Sequence, residues 1–324
     1  MFATLDEHEL SKNVQLFAGR AVMTRTGEAR IKINSNDVTG TVKLTRDLLS
    51  EPDFFKDAKP GLAFRNGFVE VSSCGLRLLP HAPEHKARFA YDFDYASNAS
   101  QPEIWLGFLA DVWRDDKDAN QKIALLQEFC GAMIFGIATR FQQALLLVGD
   151  GSNGKGVTFK VIEALMPPGS ACSVAPQEMS NEYYRAKIMG KLVNMVAELP
   201  DRTIQDTTAF KAFVAGDMLT VRPIREEPYD GRPIAAHLYS CNLLPGTTDT
   251  TPAFWRRWLI LSYARTYSVE ERIENLAEEI IELERAEIVA WAAEGAARLL
   301  KERHYTVPSS SVLAIDVWQA SAVS

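Results

Sequence analysis

The sharpest chemical signal in the chain is the run Gly149-Asp150-Gly151-Ser152-Asn153-Gly154-Lys155. It satisfies G-x-x-x-x-G-K. Glycines in such a run let the backbone turn inward so that successive N–H groups point at phosphate oxygens. The start of the following helix adds partial positive charge, and the lysine reaches the β- and γ-phosphates. The candidate phosphate contacts are therefore Gly149, Asp150, Gly151, Ser152, Asn153, Gly154 and Lys155, with Gly156 and Val157 after them. Lys155 is expected at a solvent-facing site. A Ser or Thr normally follows this lysine and touches Mg²⁺ through its hydroxyl, whereas Gly156 stands there. Thr158 is the nearest hydroxyl that could replace it, with water as the alternative.

Three further positions belong to the same chemistry. Glu198 follows the apolar run Leu192–Ala197, where an acid can hold Mg²⁺ and accept a proton from an attacking water. Asp201 is the weaker second choice. Asn242 ends the run His237-Leu238-Tyr239-Ser240-Cys241 and could aim a neutral amide at the γ-phosphate or its water. Arg256 and Arg257 lie fourteen residues on, in Phe254-Trp255-Arg256-Arg257. A guanidinium stays charged and forks onto phosphate oxygens. Arg257 is the first candidate for that role and Arg256 the second. A structural alternative is a pair of surface arginines flanking a buried Trp.

The surrounding pattern supplies elements able to position these groups. Ala144–Val148 is a short, wholly apolar run, as expected of a parallel strand buried on both faces. Lys155–Met166 reads as the following helix, stopped by Pro167-Pro168. Leu192–Ala197, His237–Ser240 and Trp258–Leu261 read as further core strands, and Thr207–Val214 as a short helix ended by Gly216. Leu219–Ile234 has hairpin character with Asp230-Gly231 as its turn signal. Ile273–Leu300 is helical with a possible break, and Pro308–Ser311 reads as a loop. Earlier in the chain, Asn66-Gly67 signals a hairpin, and Pro102–Trp113 and Gln121–Thr139 read as helices. Strands alternating with helices mean an α/β domain around a parallel sheet. We expect a small mixed, largely helical domain over 1–130, an ATPase domain over 131–268 and C-terminal helices over 269–324.

The order of motifs resembles the superfamily III helicases, in particular the phage- and plasmid-type primase–helicases related to the poxvirus primase–helicase, which are AAA+ ring ATPases. Lys191–Pro200 looks like the family's Walker B segment, Gly216–Arg222 its motif before the DNA hairpin, Cys241–Pro245 its sensor motif, and Phe254–Arg257 its arginine-finger motif. Phe108-Leu109 and Gln127-Glu128-Phe129 resemble the helical domain that usually precedes this ATPase. The resemblance covers roughly residues 30–320. It implies an AAA+ P-loop core, with ATP and Mg²⁺ as cofactors. It also implies a homo-oligomeric ring, with a hexamer as the expected size, with single-stranded DNA in its channel and host replication proteins as further partners. The setting implied is phage or mobile-element replication in the cytoplasm of a bacterial host cell. In this family Gly often follows the P-loop lysine. The hairpin would carry the DNA contacts, with Arg222 and Arg225 on it and Lys211 ahead of it. Arg232 lies there too. The alternative is that Glu226, Glu227 and Asp230 pair with these arginines on a solvated surface. Ile224 stands where relatives often place a base near the hairpin tip.

Two functions share all these motifs: a helicase or translocase, and a DNA-bound ATPase scaffold or loader that recruits replication proteins without unwinding. A small-molecule P-loop kinase is disfavoured by the hairpin and by the paired arginines beyond Asn242.

Composition excludes several classes. With 47% apolar and 24% charged residues among 324, the chain is neither collagen-like nor wholly disordered. No apolar run approaches the ~20 residues that span a bilayer, and Met1–His8 lacks the basic and apolar regions of a signal peptide. The net charge of −7 is localised: residues 270–300 hold nine acids and three bases, a balance of −6, which leaves −1 elsewhere. That acidic stretch reads as a solvated helix face. The cysteines, Cys74, Cys130, Cys172 and Cys241, are far apart and read as reduced thiols. His81 and His85 read as structural.

Overall fold

The computed structural model describes residues 7–49, 51, 54–55, 57–225 and 227–323, so Glu226 lies outside the described residues. The chain divides into two units, Met1–Lys59 with Ala82–Arg88, and Pro60–His81 with Phe89–Ser324. In the first, α1 (Glu7–Gln15) and the hairpin β1 (Ala21–Thr24)–β2 (Gly27–Arg30) precede α2 (Ser35–Leu49). Asn34 and Asp37 cap α2 reciprocally: each side chain accepts from the other's backbone N–H, at 3.0 and 2.9 Å. This satisfies donors that the first helical turn leaves free.

The second unit opens with an antiparallel sheet of β3 (Gly61–Phe64), β4 (Gly67–Ser72) and β5 (Gly75–Leu79). The hairpin signalled by Asn66-Gly67 is present, with Arg65 and Asn66 as its two-residue loop. Helices α3 (Glu103–Val112) and α4 (Ala119–Ile134) follow. The domain boundary expected at 130 falls inside α4. Then come β6 (Ala144–Val148), α5 (Lys155–Ala164), β7 (Ala171–Cys172), α6 (Glu182–Ala186), β8 (Val193–Val196) and α7 (Thr208–Ala215). The chain continues through β9 (Leu219–Val221), β10 (Tyr229–Gly231), β11 (Ala236–Cys241), α8 (Pro252–Trp255), β12 (Trp258–Ser262), α9 (Leu276–Glu302) and α10 (Ser309–Val323). No helix among the described residues is long and apolar enough to cross a membrane.

Five strands form one parallel sheet in the order β12-β6-β11-β8-β7. Helices cover both faces, which is why Ala144–Leu147 and Ala236–Cys241 are buried throughout without alternation. Parallel pairing brings the carboxyl ends of β6, β8 and β11 to one edge, where ligands of open α/β sheets bind. Residues Cys241 and Val148 are register partners, as are Tyr239 and Val196. The loops carrying Gly149, Glu198 and Asn242 therefore leave the sheet side by side.

Helix α5 is fixed at its far end. The Tyr91 hydroxyl donates to Leu165 O at 2.5 Å, and Arg285 Nε of α9 donates to Ala164 O at 2.7 Å. A cation there also complements the helix dipole. Helices α4 and α9 cross at glycines: a Cβ on Gly131 would stand 2.2 Å from Ala292 O, and one on Gly295 2.4 Å from Gln127 O. At the sheet's outer edge, the buried Ser311 hydroxyl of α10 accepts from Ile260 N–H of β12 at 2.8 Å, and Trp318 Nε1 donates to Pro245 O at 2.7 Å.

Several local expectations change. The segment Leu276–Glu302 is one unbroken helix. Ser309–Ser311 is the first turn of α10 rather than a loop. The hairpin of β9 and β10 exists, but Asp230 and Gly231 pair with Thr220 and Leu219 inside it, so the chain turns between Val221 and Tyr229 rather than at Asp230-Gly231. The acidic stretch is not uniformly solvated. Glu284 is buried and accepts from Ile104 and Trp105 N–H, both at 2.8 Å, at the start of α3. There it meets free helix donors and the positive end of the dipole.

Glu128 of α4 is buried and accepts from Arg298 Nε at 2.8 Å, Thr306 N at 2.7 Å and Thr306 Oγ1 at 2.8 Å. Removing it takes away the carboxylate partner of Arg298, which keeps only Ala124 O at 3.2 Å, and the acceptor of both the N–H and the hydroxyl of the half-buried Thr306. Glu128→Ala is expected to cost about 3 kcal/mol of unfolding free energy, measured by chemical denaturation. A denaturation midpoint equal to wild type would mean that this ion pair does not hold α4 to α9 and the turn after it.

Candidate active site

The Gly149–Lys155 loop is built by close approach. A Cβ on Gly149 would stand 2.5 Å from Tyr263 O, and Gly154 adopts φ +85 with Val112 2.8 Å from where its Cβ would lie. Asn153 steadies the turn by donating to Tyr263 O at 3.3 Å and accepting from Lys155 N at 3.2 Å. Gly154 supplies no side-chain cap to α5. With the Lys155 N–H taken by Asn153, the N–H groups of Gly156 and Val157 in the first turn of this ten-residue helix are left for an anion.

Lys155 is buried rather than solvent-facing, at 8% exposure. Its ammonium donates to Gly149 O at 2.8 Å, Cys241 O at 2.6 Å and Asn242 Oδ1 at 2.9 Å. Burial pulls its pKa below the ordinary lysine value, with Cys241, Glu198 and Asp150 acting in the other direction. All three hydrogen-bond acceptors are neutral, so a desolvated cation here has no bonded counter-charge. A buried charge in that state favours an incoming anion. Asn242 follows β11 directly, and Glu198, exposed, stands two residues beyond β8. The structure brings Lys155, Asn242 and Glu198 to one edge, together with Asp150.

Thr158 is not part of that group. It is fully buried, and its hydroxyl donates to Gly154 O at 3.2 Å. Gly156 lies open, with nothing within 4 Å of where its Cβ would be. Among the described residues no cluster of three or more His, Cys, Asp or Glu could hold a metal on its own. Glu198 is the remaining candidate ligand, alongside oxygens of a bound phosphate.

The arginines separate. Arg256 is exposed. Arg257 is buried, with Nε donating to Lys211 O at 3.2 Å and Nη1 to Ala253 O. Burial lowers the Arg257 pKa, and the neighbouring Arg256 charge adds to that. Lys211 donates to Asp249 at 2.8 Å and is mostly buried. Arg222 sits 3.7 Å from Glu182 at the surface. Arg225, exposed, takes φ +65 in the hairpin turn beside Ile224, which is 71% exposed. Arg232 donates to Gly216 O at 3.3 Å.

One feature of the site was not legible beforehand. A cavity of about 560 Å³ adjoins the loop, walled by Ile104 and Phe108 of α3, Val157 of α5, and Tyr267, Ile273 and Leu276. Its rim is latched. Asp111 accepts from the Tyr267 hydroxyl at 2.8 Å and from Arg265, which also reaches Glu271 Oε1 at 3.0 Å. Tyr267 N donates to Ser152 O at 2.8 Å, tying the segment after β12 to the glycine loop. The walls come from separate stretches of chain, so no single motif announces them.

Two family models match the chain. Residues 7–114 match the one described as D5 N terminal like, and residues 147–257 match a family of unknown function, DUF5906. Each covers about a third of the chain. A solved structure of the NrS-1 C-terminal region is similar in fold. The apo structure of residues 305–718 matches at TM-score 0.51 and 12% identity, covering 85% of this chain and 76% of that one. A second, the A form of the same region, gives 0.49 and 14%, covering 68% and 52%. The shared fold is a mixed N-terminal region, a parallel sheet core and C-terminal helices.

Nucleotide binding should depend on the Lys155 charge. Lys155→Met is expected to lose nucleotide affinity while staying folded. For the wild type, affinity should fall as pH rises through a value below the ordinary lysine 10.5, because the charged form binds and burial lowers the pKa. Calorimetric titration across alkaline pH checks this, and an affinity that stays flat beyond pH 10.5 would exclude the ammonium as the phosphate partner.

Proposed function

We propose that this chain is an ATP hydrolase that works as a ring, a hexamer by preference, and moves single-stranded DNA in phage or mobile-element replication within a bacterial cytoplasm. The observation that carries the reading is the buried Lys155 ammonium, held by neutral acceptors at the carboxyl edge of the parallel sheet. A triphosphate supplies the anion that this site lacks. The uncapped start of α5 and the loop N–H groups would take the phosphate oxygens, and the apolar cavity beside them suits a nucleobase.

Nucleotide turnover is assigned to residues 131–268, with cavity walls added by α3 before them and by 269–276 after them. Glu198 would hold Mg²⁺, together with phosphate oxygens, and the ion would supply charge neutralisation on the phosphates. Glu198 accepts a proton from the attacking water. Asn242, already bonded to Lys155, orients the γ-phosphate or that water. The exposed Arg256 reaches the nucleotide of a neighbouring subunit, a contribution worth ~10³–10⁵ in rate where it operates. Arg257 is committed internally, so the finger role passes to Arg256. Arg222 and Arg225 on the hairpin are the DNA contacts. Lys211, paired with Asp249, is not.

The scaffold reading keeps two observations in its favour. The hairpin presents Ile224 at its tip, and Arg222 has Glu182 beside it. Both weaken a grip on DNA phosphates. A strand-displacement assay separates the two readings, since a scaffold hydrolyses ATP without unwinding.

Glu198→Gln is expected to bind ATP and fail to hydrolyse it, because the amide keeps shape but accepts no proton. Normal turnover in that variant would move the role to Asp201. Arg222→Ala with Arg225→Ala should reduce the slope of log affinity for single-stranded DNA against log salt by roughly 0.7 for each lost phosphate contact. An unchanged slope would place DNA elsewhere on the protein.

A further inference from the structure

Asp249 lies in the loop between Asn242 and α8, and no sequence motif singles it out. Its side chain is 10% exposed and saturated with donors. It accepts from Lys211 Nζ at 2.8 Å, Thr251 N at 2.9 Å, Thr251 Oγ1 at 2.6 Å and the Thr207 hydroxyl. Burial alone would raise its pKa. The bonds from Lys211, Thr207 and Thr251 outweigh that and hold the carboxyl well below the usual range. It is therefore a fixed anion.

Its partners belong to two elements. Thr207 and Lys211 are the start and first turns of α7, and Thr251 is the N-cap residue of α8. Helix α8 is four residues long, and Arg256 is its C-cap, with Arg256 N bonded to Pro252 O at 3.1 Å. Arg256 lies five steps along the chain from Thr251, about 7.5 Å along a helix at 1.5 Å per residue. Over so short a lever, the placement of Thr251 sets the placement of Arg256. The far side is braced through the same lysine: Arg257 Nε donates to Lys211 O at 3.2 Å. Lys211 is thus tied by its ammonium to Asp249, two residues before the α8 cap, and by its carbonyl to the residue after Arg256.

We infer that Asp249 is a positioning residue for Arg256: by clamping Thr251 to α7 it aims the exposed guanidinium at the active site of the neighbouring subunit. This rests on the reading of Arg256 as a finger acting in trans. The Asp249 carboxylate bonds Thr207, Lys211 and Thr251, none of which belongs to the Gly149–Lys155 loop, so its loss should damage the neighbour's site and spare its own.

The test is complementation between mutant subunits. Asp249→Asn should lower kcat of the homogeneous assembly by ~10²-fold, the scale expected for misplacing a group by about 1 Å, with KM for ATP within about twofold. Mixed with Lys155→Met subunits, which keep Arg256 but lack a working loop, Asp249→Asn should regain part of the activity. Mixed with Arg256→Ala subunits it should regain none, because both lack the same function. Thr251→Val, which removes one of the four bonds and keeps the side chain's size, should fall in the same complementation group with a smaller loss. Subunit exchange is verified by recovery in the Lys155→Met with Arg256→Ala mixture. If that control recovers and neither Asp249→Asn nor Thr251→Val is rescued by Lys155→Met, or if either is rescued by Arg256→Ala, the positioning role is overturned while the finger stands. If Arg256→Ala alone is fully active, the finger falls, and the positioning role with it.

Discussion

A single buried charge sets the terms for the rest of this structure. The Lys155 ammonium sits among the carbonyls of Gly149 and Cys241 and the amide of Asn242, out of water and without a bonded anion. Holding a cation there is unfavourable unless the surroundings are rigid enough to prevent its escape to solvent. The rigidity is visible at each side. Behind it, α5 is pinned at its C-terminal end by Tyr91 and Arg285. Beneath it, β6 is flanked by β11 and β12 in a sheet covered on both faces. In front, Asn153 and Tyr267 fasten the glycine loop to the chain after β12. The scaffold holds the site in a state that binding an anion would relieve.

Much of this was legible in the sequence because it depends on local rules. Ala144–Val148 is a strand with no polar residue in it, and the glycine run and the start of α5 follow where the motif requires. Gly216 ends α7 with φ +70, as its position suggests. What stayed hidden depends on partners distant in the chain. The strands of the first unit were not legible, since β1 is exposed along its whole length and offers no alternating pattern. Ser309–Ser311 looked like a loop, yet Ser309 Oγ and Ser310 N both meet Asp118 from almost two hundred residues away. Asp230-Gly231 looked like a turn and became a strand, because pairing with Leu219 and Thr220 overrides turn preference.

The site shows the same division. Lys155, Asn242 and Glu198 were identifiable because each ends or follows a core strand. Burial, in contrast, is a tertiary property. Neighbours in sequence, Arg256 and Arg257 look interchangeable, but the structure turns one to solvent and ties the other to α7 and α8. Thr158 has the right chemistry at nearly the right spacing, yet the helix aims its hydroxyl at Gly154 O. Asp111 and Tyr267 come together from 156 residues apart in the chain.

The last helix has a bearing on how the chain escapes self-association while folding. Strand β12 is the sheet's edge, and an open edge templates pairing with any strand that meets it. In the finished fold α10 lies along it, and the Ser311 hydroxyl occupies the outward N–H of Ile260. Ser311 is synthesised about fifty residues after that strand. Until α10 has emerged and docked, the nascent sheet carries an unprotected row of donors and acceptors beside the aromatic cluster of Phe254, Trp255 and Trp258. The window for aggregation closes only when Trp318 seats against that cluster.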